Sequence, residues 1–368
     1  MNLTELRIAL VGPLPPPAGG MANQTRQLGE LLQGDGAKVT MVPTNAAYRP
    51  RCIESIRGVR ALFRLVPYAL TLWKVAGRVD VFHVMANSGW SWHLFVSPAL
   101  WVARMRGVPA VVNYRGGAAE RFLARSRARV LGTLRHASLV AVPSAFLQQV
   151  FGRHGIPSEI VPNIIDTELF RPARDHAQPA IPHLIVARNL EPIYDTATAL
   201  RAFALILQDA PDAKLTVAGS GPERDALAAL AAELGIAEAV TFSGRLDRER
   251  MAELYRSASA MINASRVDNM PNTVLEAMAS GVPVVSTDVG GIPFIVRDGI
   301  TGLLCRPGDH AAIAAAVKRI LRDQPLAARL RDAALIEVQQ YTWSRVRATW
   351  LELYASVLSR DRIEVRPA

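Results

Sequence analysis

Short apolar runs alternate along this chain with longer stretches whose apolar positions recur three and four apart. Arg7–Gly12, Lys38–Pro43, Val79–Met85, Val111–Gly117 and Leu139–Ser144 have the length and β-branched content of buried strands. A polar, proline-rich break, 171–182, interrupts the rhythm. It resumes with His183–Ala187, Ala213–Ala218, Val240–Ser243, Ala260–Ala264 and Val282–Ser286. Helical spacing fills the intervals at Gln24–Leu32, Thr196–Leu207, Glu223–Leu234, Arg248–Ser257, Thr273–Ser280, Ala311–Arg322 and Leu326–Gln339. Strand–helix alternation predicts parallel βαβ units, so the fold class is α/β, built twice. The tail places Trp343, Val346, Trp350, Leu353, Tyr354 and Val357 at helical spacing.

Length agrees with two cores: 368 residues, half of them apolar, suit two domains better than one. Cys52 and Cys305 are the only cysteines and lie far apart, which argues against a disulfide framework and predicts a reducing, cytoplasmic setting. The first residues lack the basic and apolar regions of a signal peptide, and no apolar run reaches 18 residues, so no membrane span is expected.

Charge is distributed unevenly. Residues 1–170 hold 19 Lys and Arg against nine Asp and Glu, whereas 171–368 hold 23 of each. The N-terminal half is therefore expected to meet an anionic partner: a phospholipid surface, a pyrophosphate-linked acceptor or an acidic glycan. Nucleic acid is not expected, since no helix-turn-helix, zinc or RNA-binding signature is present. Within that half, 51–78 alternates Arg57, Arg60, Arg64, Lys74 and Arg78 with large apolar residues. It reads as two amphipathic helices broken at Pro67, or as a helix lying in a membrane interface. The aromatic run Trp90–Val102 reads as core, interrupted at Pro98, and the arginine-rich 120–135 as a solvated helix face or a rim for anionic headgroups.

The chemistry concentrates in Ser265–Thr287, SRVDNMPNTVLEAMASGVPVVST. A polar loop with Asp268 and Pro271 feeds a short helix closed by Gly281, and a buried strand follows. The N-terminus of such a helix, at Asn272 and Thr273, suits a phosphate. Glu276 in its first turns can accept two hydrogen bonds from a vicinal diol such as a ribose. The plain alternative is a capped helix with Asp268 as a turn residue. Elsewhere, Gly19 and Gly20 follow the first strand and Gly219 begins a GSG turn, positions where backbone can approach a ligand. The spacing of a metal site is missing, and no cofactor is expected.

Asp268 and Glu276, eight positions apart and followed by AMASGVPVV, resemble the E-x7-E donor signature of glycosyltransferase family 4, retaining nucleotide-sugar transferases of GT-B fold. VDVFHVM, VPNIIDTELF and GGIPFIVRDGITGLLCRPGD are similar to further family segments, so the resemblance covers nearly the whole chain, most strongly after Ile160. It implies two Rossmann-like domains facing across a cleft. The boundaries would be 1–170 for an acceptor domain, 171–182 for a linker, 183–342 for a donor domain and 343–368 for a helix packing back on the first domain. It implies that Glu276 holds the ribose, that Asp268 contacts the sugar, and that Arg188 with Asn272 and Thr273 faces the diphosphate. Gly19, Gly20 and Gly219 would line the donor site.

Three positions depart from the pattern. Arg115 stands where the family usually has a His beside the transferred sugar, and a guanidinium there can pair with a phosphate. Ile193 and Tyr194 stand where a diphosphate-binding Lys is usual, and Phe294 replaces a Glu. The expected activity is sugar transfer from a nucleotide-sugar to a glycan or lipid-linked acceptor in surface polysaccharide or glycoconjugate synthesis, with the protein cytoplasmic or peripheral on the inner membrane face. The alternatives are a non-catalytic relic of such a transferase and a nucleotide-sugar epimerase on the same scaffold.

Overall fold

The computed structural model describes residues 3–16, 19–46, 60–173 and 181–364. It divides into two compact units. Unit 1 combines 1–164 with 343–368, and unit 2 is the continuous segment 165–342.

In unit 1 the strands are β1 (Arg7–Gly12), β2 (Lys38–Pro43), β3 (Val81–Ala86), β4 (Ala110–Tyr114), β5 (Leu139–Val142) and β6 (Glu159–Ile160). They form one parallel sheet in the order β2-β1-β3-β4-β5-β6. Its helices are α1 (Gly20–Gly34), α2 (Arg60–Ala76), α3 (Ser97–Met105), α4 (Ala119–Leu134) and α5 (Ala145–Arg153). The last helix, numbered α12 (Trp343–Glu364) in chain order, closes the chain. Strands buried on both faces need apolar residues at every position. Ala9, Val11, Phe82, Val84, Val112 and Tyr114 accordingly pack with the α2–α5 side. Ile8, Leu10, Val81, Met85 and Val111 pack with α1 and with Val346, Trp350, Tyr354 and Val357 of α12.

Unit 2 repeats the plan. Its strands are β7 (His183–Ala187), β8 (Lys214–Ala218), β9 (Val240–Gly244), β10 (Ala260–Asn263), β11 (Val284–Thr287) and β12 (Leu303–Cys305), in the order β12-β11-β10-β7-β8-β9, all parallel. The helices are α6 (Thr196–Leu207), α7 (Arg224–Glu233), α8 (Arg248–Arg256), α9 (Asn272–Ala279), α10 (His310–Arg322) and α11 (Gln324–Glu337). The strand order reverses at β7, between β8 and β10, and ligands of open α/β sheets bind beyond the strand ends at such a point.

Four expectations need correction. Pro67 does not divide the basic segment: α2 runs through it, since one proline removes one hydrogen bond from a helix that Tyr68, Leu72 and Ala76 hold in the core. The part of that segment before Arg60, with Arg57, lies outside the described residues, as do Cys52 and most of 171–182. Pro98 starts α3 instead of interrupting a run, and a π-helical turn, Trp92–Val96, leads into it. Gly20 is the first residue of α1, so the glycine pair sits at a helix start and not within a loop. Residues 165–170, expected to end the first domain, belong to unit 2, where Ile165 and Phe170 join its core.

Candidate active site

Arg188 leaves β7 at the reversal point, and Ser265 and Asp268 follow β10 beside it. The guanidinium is nine-tenths buried and forms an ion pair with Asp268. Its Nη1 donates to Thr273 Oγ1 at 3.4 Å and its Nη2 to Ser265 Oγ at 3.3 Å. The ring of Tyr194 lies 4.4 Å from the guanidinium carbon. Burial lowers the Arg188 pKa, while Tyr194, Tyr255 and Glu276 oppose that shift. The buried Nε–H has no hydrogen-bond partner among the described residues, so one donor of the fork is unused.

Glu276 lies one turn into α9. Tyr255 Oη donates to Glu276 Oε2 at 3.2 Å and is also 3.1 Å from the Thr273 carbonyl. Burial pushes the Glu276 carboxyl up to about 7, against Tyr255, Arg248 and Arg188, which favour its anion. Helix α9 begins after Pro271, and no side chain caps it. Its first amides lack intrahelical acceptors and give that end partial positive charge.

Two loops fix these groups. Asp195 Oδ2 accepts from Arg266 Nε at 2.9 Å, and Arg266 N donates to the Ile193 carbonyl at 2.8 Å, joining the loop after β7 to the loop after β10. Gly219 is required by close approach: a Cβ there would lie 1.8 Å from the Arg188 carbonyl oxygen. Gly291 is held equally tightly against the Asn269 carbonyl. The fold thus gathers Arg188, Asp268, Asn272, Thr273 and Glu276, with Gly219 pressed on Arg188. Phe294 is exposed, in a short 3-10 turn.

Unit 1 has its own polar cluster. Arg115 donates from Nε to Asn113 Oδ1 at 2.7 Å and from Nη1 to Asn163 Oδ1. Among the described residues no carboxylate pairs with it. Burial pushes its pKa down to about 9, so it remains a cation at neutral pH. The bond to Arg115 orients the Asn113 amide, whose nitrogen therefore faces His83 Nε2 at 2.9 Å. Nε2 must accept, and Nδ1 carries the proton toward Tyr354 Oη at 2.7 Å. His83 is fully buried and its pKa is held down at about 3, by burial first and Arg115 second, so it is a neutral core residue. Gly19 and Gly20 have open space where a Cβ would stand. Among the described residues no three His, Cys, Asp or Glu side chains group as metal ligands do.

Residues 176–335 match the family described as Glycosyl transferases group 1, and 18–169 match Glycosyltransferase Family 4. The chain belongs to the group 1 glycosyltransferases of family 4. Among its relatives, a D-inositol 3-phosphate glycosyltransferase of Acidothermus cellulolyticus is 34% identical over 232 residues, 59% of this chain and 52% of that protein. An N-acetyl-alpha-D-glucosaminyl L-malate synthase of Bacillus anthracis is 33% identical over 180 residues, 49% of this chain and 46% of that one. The matches span about half the length of these curated relatives. A sucrose-phosphate synthase structure from Thermosynechococcus elongatus superposes with a TM-score of 0.79 at 22% identity, covering 97% of this chain and 100% of that chain. The fold is GT-B.

Tyr255 and Tyr194 are members of the cluster around Arg188 and Glu276 that sequence reasoning missed. Tyr255 sits on an amphipathic helix and reads as core. Tyr194 stands out in the sequence only as the residue in the place of a lysine. Neither carries a sequence signal for its contact: Tyr255 on α8 meets Glu276 on α9, and the turn after β7 folds Tyr194 back onto Arg188.

Proposed function

We propose that this chain is a retaining glycosyltransferase. Unit 2 takes a nucleotide-sugar, and unit 1 presents an anionic glycan or lipid-linked acceptor, in the synthesis of a surface polysaccharide or glycoconjugate. The observation that carries this reading is the buried Arg188 guanidinium beside the start of α9, with an Nε–H that nothing in the described protein uses. A diphosphate laid there meets that donor and the first amides of α9. Glu276, as its anion, accepts the two ribose hydroxyls. Asp268, already beside Arg188, faces the sugar. Charge accumulates on the diphosphate as the glycosidic bond breaks, and Arg188 with the helix end stabilises it. Tyr194 stacks on Arg188 in place of the usual lysine and holds the guanidinium in place; it adds no charge of its own.

In unit 1, the open space at Gly19 and Gly20 leaves room for donor or acceptor. Arg115, fixed by two asparagines and lacking a carboxylate, is the cation on offer to a phosphate. An anionic acceptor agrees with the charge excess of residues 1–170 and with the acceptors named for the two relatives, an inositol phosphate and malate. A membrane position is supported by α2, which exposes Phe63, Val66, Leu70 and Trp73 at helical spacing. Among the described residues no helix is long and apolar enough to cross a bilayer.

A thermal-shift series with nucleoside diphosphates and nucleotide-sugars tests the donor site. Ligand at about a hundred times Kd stabilises the native state by about 2.7 kcal/mol. The shift should appear with one nucleotide and vanish in Glu276→Ala. No shift with any nucleotide would turn the reading toward a non-catalytic binding protein. Binding of the chain to anionic vesicles should fall with salt; equal binding to neutral vesicles would remove the membrane from the proposal.

A further inference from the structure

Unit 1 holds a cavity of about 590 Å³ that the donor site does not explain. Its walls come from the loop after β3 and from α4, which follows β4. Trp90, His93 and Phe122 form an aromatic side, and Arg121, Arg125 and Arg129 a cationic one. His93 packs edge-on against both Trp90 and Phe122, with ring centroids 6.3 and 5.9 Å apart. Trp90 keeps 77% of its surface exposed, an unusual position for a tryptophan with nothing on it.

The arginines are equally unsatisfied. All three are exposed, and none of their guanidiniums has a hydrogen-bond or ion-pair partner among the described residues. The one acid of α4, Glu120, is taken by Arg153 at 3.3 Å. Like charges a turn apart on a helix repel. Helix α4 departs from helical geometry at Ser126, between Arg125 and Arg129, yet all three guanidiniums still border the same space. A row of uncompensated guanidiniums is matched by an anion with several acceptor oxygens, because each fork takes two. The aromatic rings that line the same space add a surface for an apolar group. The volume is that of a small-molecule site.

We propose that this cavity binds the anionic end of the acceptor: a diphosphate carried on an apolar chain. The proposal rests on the transferase reading above and gives its acceptor a chemical class and a place. Arg121, Arg125 and Arg129 bind the diphosphate, and Trp90 with Phe122 covers the first part of the apolar chain.

Isothermal titration of the full chain with geranyl diphosphate, inorganic diphosphate and geraniol tests it. Geranyl diphosphate should bind most tightly, inorganic diphosphate more weakly, and geraniol not measurably. R121Q/R125Q/R129Q should weaken geranyl diphosphate by about a hundredfold, the strength of three charged bonds being discounted for exposure. Glutamine is a good helix former on an exposed face, so the fold should hold. Trp90→Ala should weaken geranyl diphosphate by about tenfold and leave inorganic diphosphate unchanged. No binding of geranyl diphosphate to the wild type, undiminished binding in the triple variant, or equal affinity for the two diphosphates would each overturn the proposal. Nucleotide binding is titrated separately. Its loss in Glu276→Ala with retention in the triple variant reports the donor site alone, so the two readings fail independently.

Discussion

In the proposed donor site, Glu276 would join proton chemistry to nucleotide binding in one side chain. Burial raises its carboxyl from 4.5 to about 7. The folded chain therefore keeps a proton that the unfolded chain gives up. The stability this represents is full below pH 4.5 and is lost as pH rises through about 7. Melting temperatures taken across that window should fall with pH in the wild type and flatten in Glu276→Gln. A ribose diol donates to the carboxylate and not to the acid, so binding below pH 7 must release a proton. Nucleotide affinity should rise with pH and level off above about 7, and calorimetry in two buffers of different ionisation heat reads the proton directly. Tyr255 favours the anion through its hydrogen bond. Tyr255→Phe should consequently move the midpoint above that of the wild type. Wild-type affinity that ignores pH between 5 and 8 would sink the ribose assignment.

At the scale of elements, two glycines that look alike in sequence differ in what surrounds them. Gly219 is pressed against the Arg188 carbonyl, and an added Cβ must push the loop after β8 away from β7. Gly219→Ala should cost about 1–3 kcal/mol in a denaturant melt and weaken nucleotide binding, because Arg188 moves with its carbonyl. Gly20 opens α1 with nothing near it. Gly20→Ala should leave stability equal or raise it by about 0.5–1 kcal/mol. Lost turnover in that stable variant would show that a ligand, and not the fold, needs the glycine. The same contrast explains what was legible beforehand. The βα rhythm and the Asp268–Glu276 spacing are local, so the strands of both sheets and the α9 loop could be read from the chain. The two-residue β6 and the three-residue β12 were too short to separate from loops. Pro67 gave a false stop because tertiary packing of α2 outweighs one lost hydrogen bond. Tyr194 beneath Arg188 depends on how one irregular loop folds back, and Tyr255 on Glu276 on how α8 packs beside α9, neither of which periodicity reports.

For the whole molecule, the chain enters and leaves unit 2 at one place: Ile165 N donates to the Tyr341 carbonyl at 2.9 Å. Unit 2 is thus a continuous piece set into unit 1, whose own core needs both ends of the chain. Trp350 and Tyr354 of α12 are fully buried against β1, β3 and β4. Tyr354 also partners the Nδ1 proton of His83, for which no other acceptor stands among the described residues. Residues 165–342 should therefore melt cooperatively as an isolated fragment. Residues 1–164 alone should not, because the face of the sheet that α12 covers would lie open to water. A short linker joining 1–164 to 343–364 should restore folding, since the two joined ends flank the Ile165–Tyr341 hydrogen bond. In that fusion Tyr354→Phe should cost about 1–3 kcal/mol by leaving the imidazole N–H unpaired, and Trp350→Ala about 3–5 kcal/mol. The losses should appear in the melts of unit 1 and not of unit 2. If 1–164 alone unfolds as cooperatively as the fusion, α12 is an accessory on a complete core, and the chain of contacts from Tyr354 through His83 and Asn113 to Arg115 has no structural purpose in holding the helix.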